Sequence, residues 1–186
     1  MRRSGPGSAT VSEDFRDEIE TALAGDAPVP GPAYATWTTR GDLASRARAY
    51  ALSAAGWSRI RPEPSMEAQC DFMACYLLDC IAADPPPDGF VHGGFEAAYE
   101  LAAWLKHLAA MPVASHVVAD VAARLASLYR VGEPAVRTRI ETGALEHALE
   151  SAAVRPFFES WSADPLLAKA HRPALAWGLA HSDGTG

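Results

Sequence analysis

The stretch that decides the fold is Ser65–Ala83, which reads SMEAQCDFMACYLLDCIAA. Its apolar residues recur at the spacing of one face of an α-helix. The Ser65 side chain suits the position before a helix, where it accepts a hydrogen bond from a free backbone amide. Phe72 and Tyr76 widen the apolar face beyond a simple stripe. We therefore predict a central helix of a helical bundle over this stretch.

The composition extends this expectation to the whole chain. The sequence has 38 Ala and 16 Leu against only 10 Val and 4 Ile. Ala and Leu favour helices, whereas the β-branched residues favour strands. We predict an all-α fold: one bundle of about seven helices that forms a single domain over residues 12–180. Residues 1–11 are expected to be a flexible tail, and residues 181–186 a frayed end.

Periodicity and capping residues place the individual helices. In the fourth of these, Phe95 and Tyr99 are assigned to the apolar face. Asp26–Pro32 is interpreted as a linker because it holds three Pro and a Gly. The Pro- and Gly-rich stretch from Asp84 to Gly94 is expected to connect the third and fourth helices as a hairpin. The predicted helices cover residues 12–24, 41–55, 65–83, 95–111, 115–131, 134–150 and 165–178.

Charge is distributed in blocks along an acidic chain of net charge -7. Pro62–Leu105 contains eight acidic residues and no Lys or Arg, and Arg-rich stretches lie on both sides of it. Acidic and basic helices of one fold could pair with each other, which would only balance charge. Alternatively, the carboxylates form a surface for a basic protein partner. The residues predicted for such a partner-binding surface are Asp84, Asp88, His92, Glu96 and Glu100.

Chemical motifs do not support catalysis or metal binding. GxSxG, phosphate-loop, GxGxxG and HExxH patterns are all missing from the sequence. Cys70, Cys75 and Cys80 are five positions apart, so successive thiols point about 140° away from each other on a helix. The two pairs at metal-ligand spacing, His116 with Asp120 and His92 with Glu96, offer too few ligands for a site. We predict no catalytic residue, no metal and no cofactor.

Localisation and partner class follow from the same observations. No uncharged apolar run approaches the roughly 20 residues that span a bilayer. The net charge opposes binding to nucleic acid and to anionic membranes. We therefore expect a cytoplasmic protein whose partner is neither a membrane nor a nucleic acid.

The C-terminal fifth carries one resemblance. Gly143–Gly178 reads GALEHALESAAVRPFFESWSADPLLAKAHRPALAWG. It has a Leu-Glu-His helix, an aromatic pair before Trp161, an Asp-Pro helix start and a terminal Trp-Gly. The stretch resembles the ending of small uncharacterised helical bacterial proteins, some of which resemble immunity proteins that neutralise a partner toxin. The resemblance implies a helical fold and an inhibitory role, and it assigns no site residue.

The favoured hypothesis is a non-catalytic protein-binding module, of which an immunity-type inhibitor is one form. It would use an acidic helical surface against a basic partner. The first alternative is an enzyme or small-ligand-binding protein with a buried site among its histidines and aromatic rings. The second is a structural homo-oligomer that assembles through an Ala-rich face.

Overall fold

The fold is known from a computed structural model that describes residues 13–86 and 88–182. It confirms the all-α class, with 75% helix and 4% strand. The predicted tail at residues 1–11, Ser12 and most of the predicted frayed end lie outside the described residues, whereas the predicted first helix in fact begins at Arg16. Two compact units divide the chain, residues 1–64 and residues 65–186. The extent of the domain, residues 12–180, stays a prediction.

The first unit is built on three helices: α1 (Arg16–Ala24), α2 (Gly31–Arg40) and α3 (Leu43–Ala54). Helix α3 packs against both α1 and α2. A 3-10 turn follows at Trp57–Arg59. Two short parallel strands, β1 (Val29–Pro30) and β2 (Ile60–Arg61), form the only sheet in the part of the chain that is described. The buried side chains of this unit include Ile19, Tyr34, Trp37, Leu52 and Ile60.

Basic residues of the first unit bind groups of the same unit. The Arg48 Nε lies 2.5 Å from the Glu20 Oε1 of α1. Arg59 donates to the backbone carbonyls of Ala22 and Gly25 at the end of α1. In this part of the chain, charge therefore joins neighbouring helices.

The second unit contains the longer helices. They are α4 (Met66–Ala83), α5 (Gly94–Ala109), α6 (Ser115–Val131), α7 (Pro134–Thr138), α8 (Glu146–Ala148) and α9 (Leu167–Ala180). A π-helical segment, Arg139–Leu145, joins α7 to α8, and a 3-10 segment, Arg155–Ala163, precedes α9. Ser65 caps α4 as predicted, because its Oγ accepts a hydrogen bond from the amide of Ala68. None of the described helices has both the length and the apolarity needed to cross a membrane.

Helix α5, and not α4 as predicted, lies at the centre of the second unit. It packs against α4, α6, α8 and the π-helical segment. Leu101 and Leu105 are fully buried on α5, as Leu77 and Ile81 are on α4. Gly143 permits the close approach of the π-helical segment to α5, because a Cβ at this position would lie 2.7 Å from the Cβ of Ala98.

Three features of the structure correct the predicted helices. The described residues contain nine α-helices, not seven. One addition is α2, which the Pro-rich composition concealed: Pro32 falls in its first turn, where a missing amide costs no hydrogen bond. The predicted helix 134–150 is in fact α7, the π-helical segment and α8. Helix α9 also continues past Gly178 to Ala180.

The assignment of Phe95 and Tyr99 to the apolar face of the fourth helix was wrong. Their exposed fractions are 44% and 49%. The buried face of α5 runs instead through Ala97, Ala98, Leu101, Ala102, Leu105 and Leu108. Since Ala97 and Ala98 are small, the backbones of neighbouring helices approach this face closely, and the larger rings lie outside it.

Candidate functional site

The predicted site residues occupy the connection between α4 and α5 and the first turns of α5. Asp84 follows α4 directly, with a left-handed backbone conformation (φ 47°). Its Oδ2 accepts a 2.9 Å hydrogen bond from the Arg139 guanidinium of the π-helical segment. Arg139 also donates to the carbonyl of Ile81 at 2.6 Å and is 9% exposed at the side chain. Asp84 therefore joins three segments of the fold.

Gly94 completes this cluster. Its amide donates to the Asp84 Oδ1 at 2.9 Å. A Cβ on Gly94 would lie 2.6 Å from the Arg139 Cδ and 2.9 Å from the Asp84 Oδ1. The preceding Gly93 has open space at the same position. Of the two adjacent glycines, only Gly94 is required by the packing of the Asp84–Arg139 pair.

Asp88 and Glu96 both bind backbone amides nearby. The Asp88 Oδ1 accepts hydrogen bonds from the amides of Phe90 and Val91, at 3.0 Å and 2.9 Å. The Glu96 Oε2 accepts from the amide of Gly93 at 3.3 Å and so caps the start of α5 from the third helical position. Each carboxylate stabilises a turn, and each residue stays exposed.

His92 lies against Tyr76 of α4. The Tyr76 hydroxyl lies 2.9 Å from the His92 Nδ1 and accepts the backbone amide of His92 at 3.2 Å. The two rings meet edge to face, with their centres 5.6 Å apart. His92 thus anchors the connection to α4.

Exposed aromatic rings accompany the exposed carboxylates. Phe90, Phe95 and Tyr99 have exposed fractions of 37%, 44% and 49%. Glu96 and Glu100 lie on the same side of α5, because residues three and four positions apart are neighbours on a helix surface. We call this set the acidic aromatic strip; it comprises Asp88, Phe90, Phe95, Glu96, Tyr99 and Glu100.

A series of rings extends from Tyr99 across two further elements. The ring centres of Tyr99 and His147 are 5.0 Å apart, and those of His147 and Trp177 are 6.5 Å apart. His181 stacks on Trp177 at 3.8 Å. Trp177 is 39% exposed. The apolar surface of the strip therefore continues onto α9.

A separate cleft of about 550 Å³ lies between α4 and α6. The Arg124 guanidinium bridges two carboxylates there, with 2.6 Å to the Asp71 Oδ1 and 2.7 Å to the Asp120 Oδ2. His116 and Asp120, one of the pairs at metal-ligand spacing, both line this cleft. Within the described ranges, no group of three or more His, Cys, Asp or Glu side chains could hold a metal ion.

Cys75 adjoins this cluster. Arg124 donates to its Sγ at 3.0 Å. Burial raises the pKa of the Cys75 thiol and the Asp71 carboxylate raises it further, while Arg124 acts in the opposite direction. The net shift keeps the thiol protonated, which is the opposite of what an activated nucleophile needs. Cys70 and Cys80 are buried, as expected of core residues.

Sequence reasoning missed Arg139 and the three exposed rings. Arg139 lies 55 positions from Asp84 along the chain, so no local pattern connects them. The rings had a signal: Phe95 and Tyr99 alternate with Glu96 and Glu100, as expected of a mixed, solvent-facing surface.

Comparison with known proteins identifies no relative, since no protein family, curated protein or solved structure matches the chain. The resemblance to immunity-type proteins stays a prediction.

Proposed function

We propose that this protein is a non-catalytic protein-binding module that uses the acidic aromatic strip to bind a basic surface of a partner protein. The observation that carries the proposal is the alternation of exposed rings with exposed carboxylates over Asp88–Glu100. Neutralisation of a toxin, which the C-terminal resemblance implies, is one form of this activity.

The rings supply the apolar part of the interaction. Tyr and Phe are enriched in the cores of protein interfaces, where large rigid side chains bury much area at little cost in conformational entropy. Phe95 and Tyr99 are on successive turns of α5, a helix whose opposite face is fully buried. The scaffold therefore presents both rings on a packed helix, which lowers the entropic cost of binding.

The carboxylates determine the chemistry of the partner. Asp88, Glu96 and Glu100 are exposed carboxylates in the same stretch as the rings, and this stretch belongs to the segment from Pro62 to Leu105, which has no Lys or Arg. An arginine side chain fits such a surface best, because its guanidinium binds carboxylates through paired hydrogen bonds and stacks on aromatic faces. We expect the partner to present Arg or Lys beside a large apolar residue.

Selection of random phage-displayed peptides on the intact protein tests this proposal. Selected peptides should be enriched in Arg and Lys and should contain at least one large apolar residue. Replacing both rings (Phe95→Ser and Tyr99→Ser) should weaken their binding by roughly 100-fold, which is the loss of about two interface anchors. Fluorescence anisotropy of labelled peptides measures the affinity.

Two further variants separate the rings from the charges. The variant with Asp88→Asn, Glu96→Gln and Glu100→Gln keeps an acceptor oxygen at each position but removes the charges. It should bind more slowly and with a flatter dependence on salt, because charges at an interface rim act mainly through steering. The matched control replaces Val113 and Val131, which are exposed apolar residues outside the strip, with Ser and should bind normally. Selected peptides without excess basic residues, or with equal affinity for all variants, would refute the proposal.

A further inference from the structure

We propose a second binding site, for a small molecule that carries a phosphate or similar doubly charged anionic group, in a cleft at the start of α9. The cleft has a volume of about 520 Å³. It is lined by Ser162, Ala163, Pro165, Ala168, Lys169, Arg172 and Pro173. Apart from Pro165, which lies between the two elements, these residues belong to the 3-10 segment or to α9, and none of them is part of the acidic aromatic strip.

Lys169 and Arg172 are exceptional among the basic residues of the second unit. Neither side chain makes a hydrogen bond or an ion pair within residues 65–86 and 88–182, and both residues are exposed. The other six basic side chains of this unit bind a carboxylate or backbone carbonyl oxygens; these are Lys106, Arg124, Arg130, Arg137, Arg139 and Arg155. In an acidic protein, two cations without acceptors in one cleft indicate that the acceptor is a ligand.

The geometry of α9 allows both cations to reach one anion. Lys169 and Arg172 are three positions apart, so they are neighbours on the same side of the helix. Arginine binds a phosphate through two parallel hydrogen bonds, and lysine adds a mobile point charge. Two positive charges on one group favour a doubly charged anion over a singly charged one.

Asp164 does not cancel this positive charge. Its Oδ2 lies 3.0 Å from the Arg130 guanidinium, so a cation outside the cleft lining balances it. Its Oδ1 accepts the amides of Leu166 and Leu167 at 2.9 Å and 3.3 Å. Since the first amides of α9 are occupied, the ligand would be held by the side chains of Lys169 and Arg172.

The residues that line the cleft indicate the chemistry of the part of the ligand that carries the anionic group. Pro165, Ala168 and Pro173 are apolar, and the volume lies in the range of small-molecule sites. We therefore expect an anionic group on a compact apolar body to bind better than the inorganic ion. Phenyl phosphate and inorganic phosphate are the two probes that test this expectation.

Calorimetric titration at constant ionic strength measures both affinities, because salt alone would screen the interaction. Phenyl phosphate should bind more tightly than inorganic phosphate. Arg172→Gln should weaken phenyl phosphate binding by at least about tenfold, because it removes the guanidinium and its two charge-assisted hydrogen bonds. The matched control is Arg61→Gln, which removes another exposed arginine without a partner in the described residues, from the first unit. It should leave the affinity unchanged.

The position of binding is checked by the backbone amide resonances of Ala163, Ala168 and Lys169, which should shift on titration. Three results would overturn the proposal: no binding of either probe, equal weakening by Arg172→Gln and Arg61→Gln, or shifts confined to other residues. A phosphoserine peptide that binds more tightly than phenyl phosphate would replace the small molecule with a protein ligand.

Discussion

The α4–α5 connection and the start of α9 both concentrate charge, but they use it differently. In the connection, Asp84, Asp88 and Glu96 all accept hydrogen bonds from backbone amides. On α9, Lys169 and Arg172 find no acceptor among the described residues. The difference has a physical cause: loops and helix starts leave amides for carboxylates to bind, whereas the carbonyls inside a helix are already bonded. In the connection, the charges therefore also stabilise turns of the fold, whereas the two cations of α9 have no such role among the described residues.

The largest loss of stability is expected when Arg139 is replaced. Replacing Arg139 with Met keeps much of the side-chain length but leaves Asp84 and the Ile81 carbonyl without their donor. We expect a loss of about 2 to 4 kcal/mol in the free energy of unfolding, since the arginine is buried and its partner is half-exposed. Urea unfolding measures the change.

The control for Arg139 is Arg124→Met, which removes an arginine whose side chain is 36% exposed and is also paired with carboxylates. It should cost only about 0 to 1 kcal/mol, because surface pairs contribute little. An equal loss of unfolding free energy in the two variants would show that the burial of Arg139 does not make its ion pair more important for stability than that of Arg124.

The adjacent glycines allow a sharper test of the same region. Gly94→Ala places a methyl group against Arg139 and Asp84, and we expect it to cost about 1 to 3 kcal/mol. Gly93→Ala adds the same atoms in open space and should cost less than about 1 kcal/mol. Thermal unfolding of the two variants compares them directly. Similar melting temperatures of the two variants would mean that the Arg139 and Asp84 side chains can move aside for a methyl group at position 94 without a loss of stability.

Histidine 171, between the two α9 cations in sequence, gives a pH dependence. It is 5% exposed, and burial lowers its pKa below the ordinary value of 6.5. The unfolded chain therefore binds a proton before the folded one does, so stability should fall as the pH drops below about 6.5. His171→Gln should reduce the loss of unfolding free energy between pH 7 and pH 5, which urea unfolding at the two pH values measures. An identical pH dependence in the variant and the unmodified protein would contradict this account.

The smallest effect on stability is expected at the cations themselves. The double variant Lys169→Gln and Arg172→Gln should change the free energy of unfolding by less than about 0.5 kcal/mol, because neither side chain binds a described residue. Chemical denaturation in the absence of added phosphate measures this. A loss above about 1 kcal/mol would assign the two residues to the fold and remove the reason to expect a ligand.

Much of the fold was accessible from the sequence, because local rules decide it. Ser65 and the apolar period after it placed α4 correctly. The predictions were wrong or incomplete in two situations. In the first, one segment fits two local interpretations; in the second, the partner of a side chain lies far away in the sequence. Pro32 is compatible both with a linker and with the first turn of a helix. The residues from Phe95 to Glu100 are compatible with two buried faces of a helix, one that contains the aromatic rings and one that contains Ala97 and Ala98. The partner of Asp84 depends on tertiary structure alone.

The Asp84–Arg139 pair also imposes an order on the assembly of this region. Asp84 and Gly94 are ten positions apart, so their hydrogen bond closes a short segment as soon as both residues are available. Arg139 is added to the chain 55 positions after Asp84. A chain that stops before the π-helical segment can form only the first of these two contacts, because it lacks the guanidinium that binds Asp84 and the end of α4.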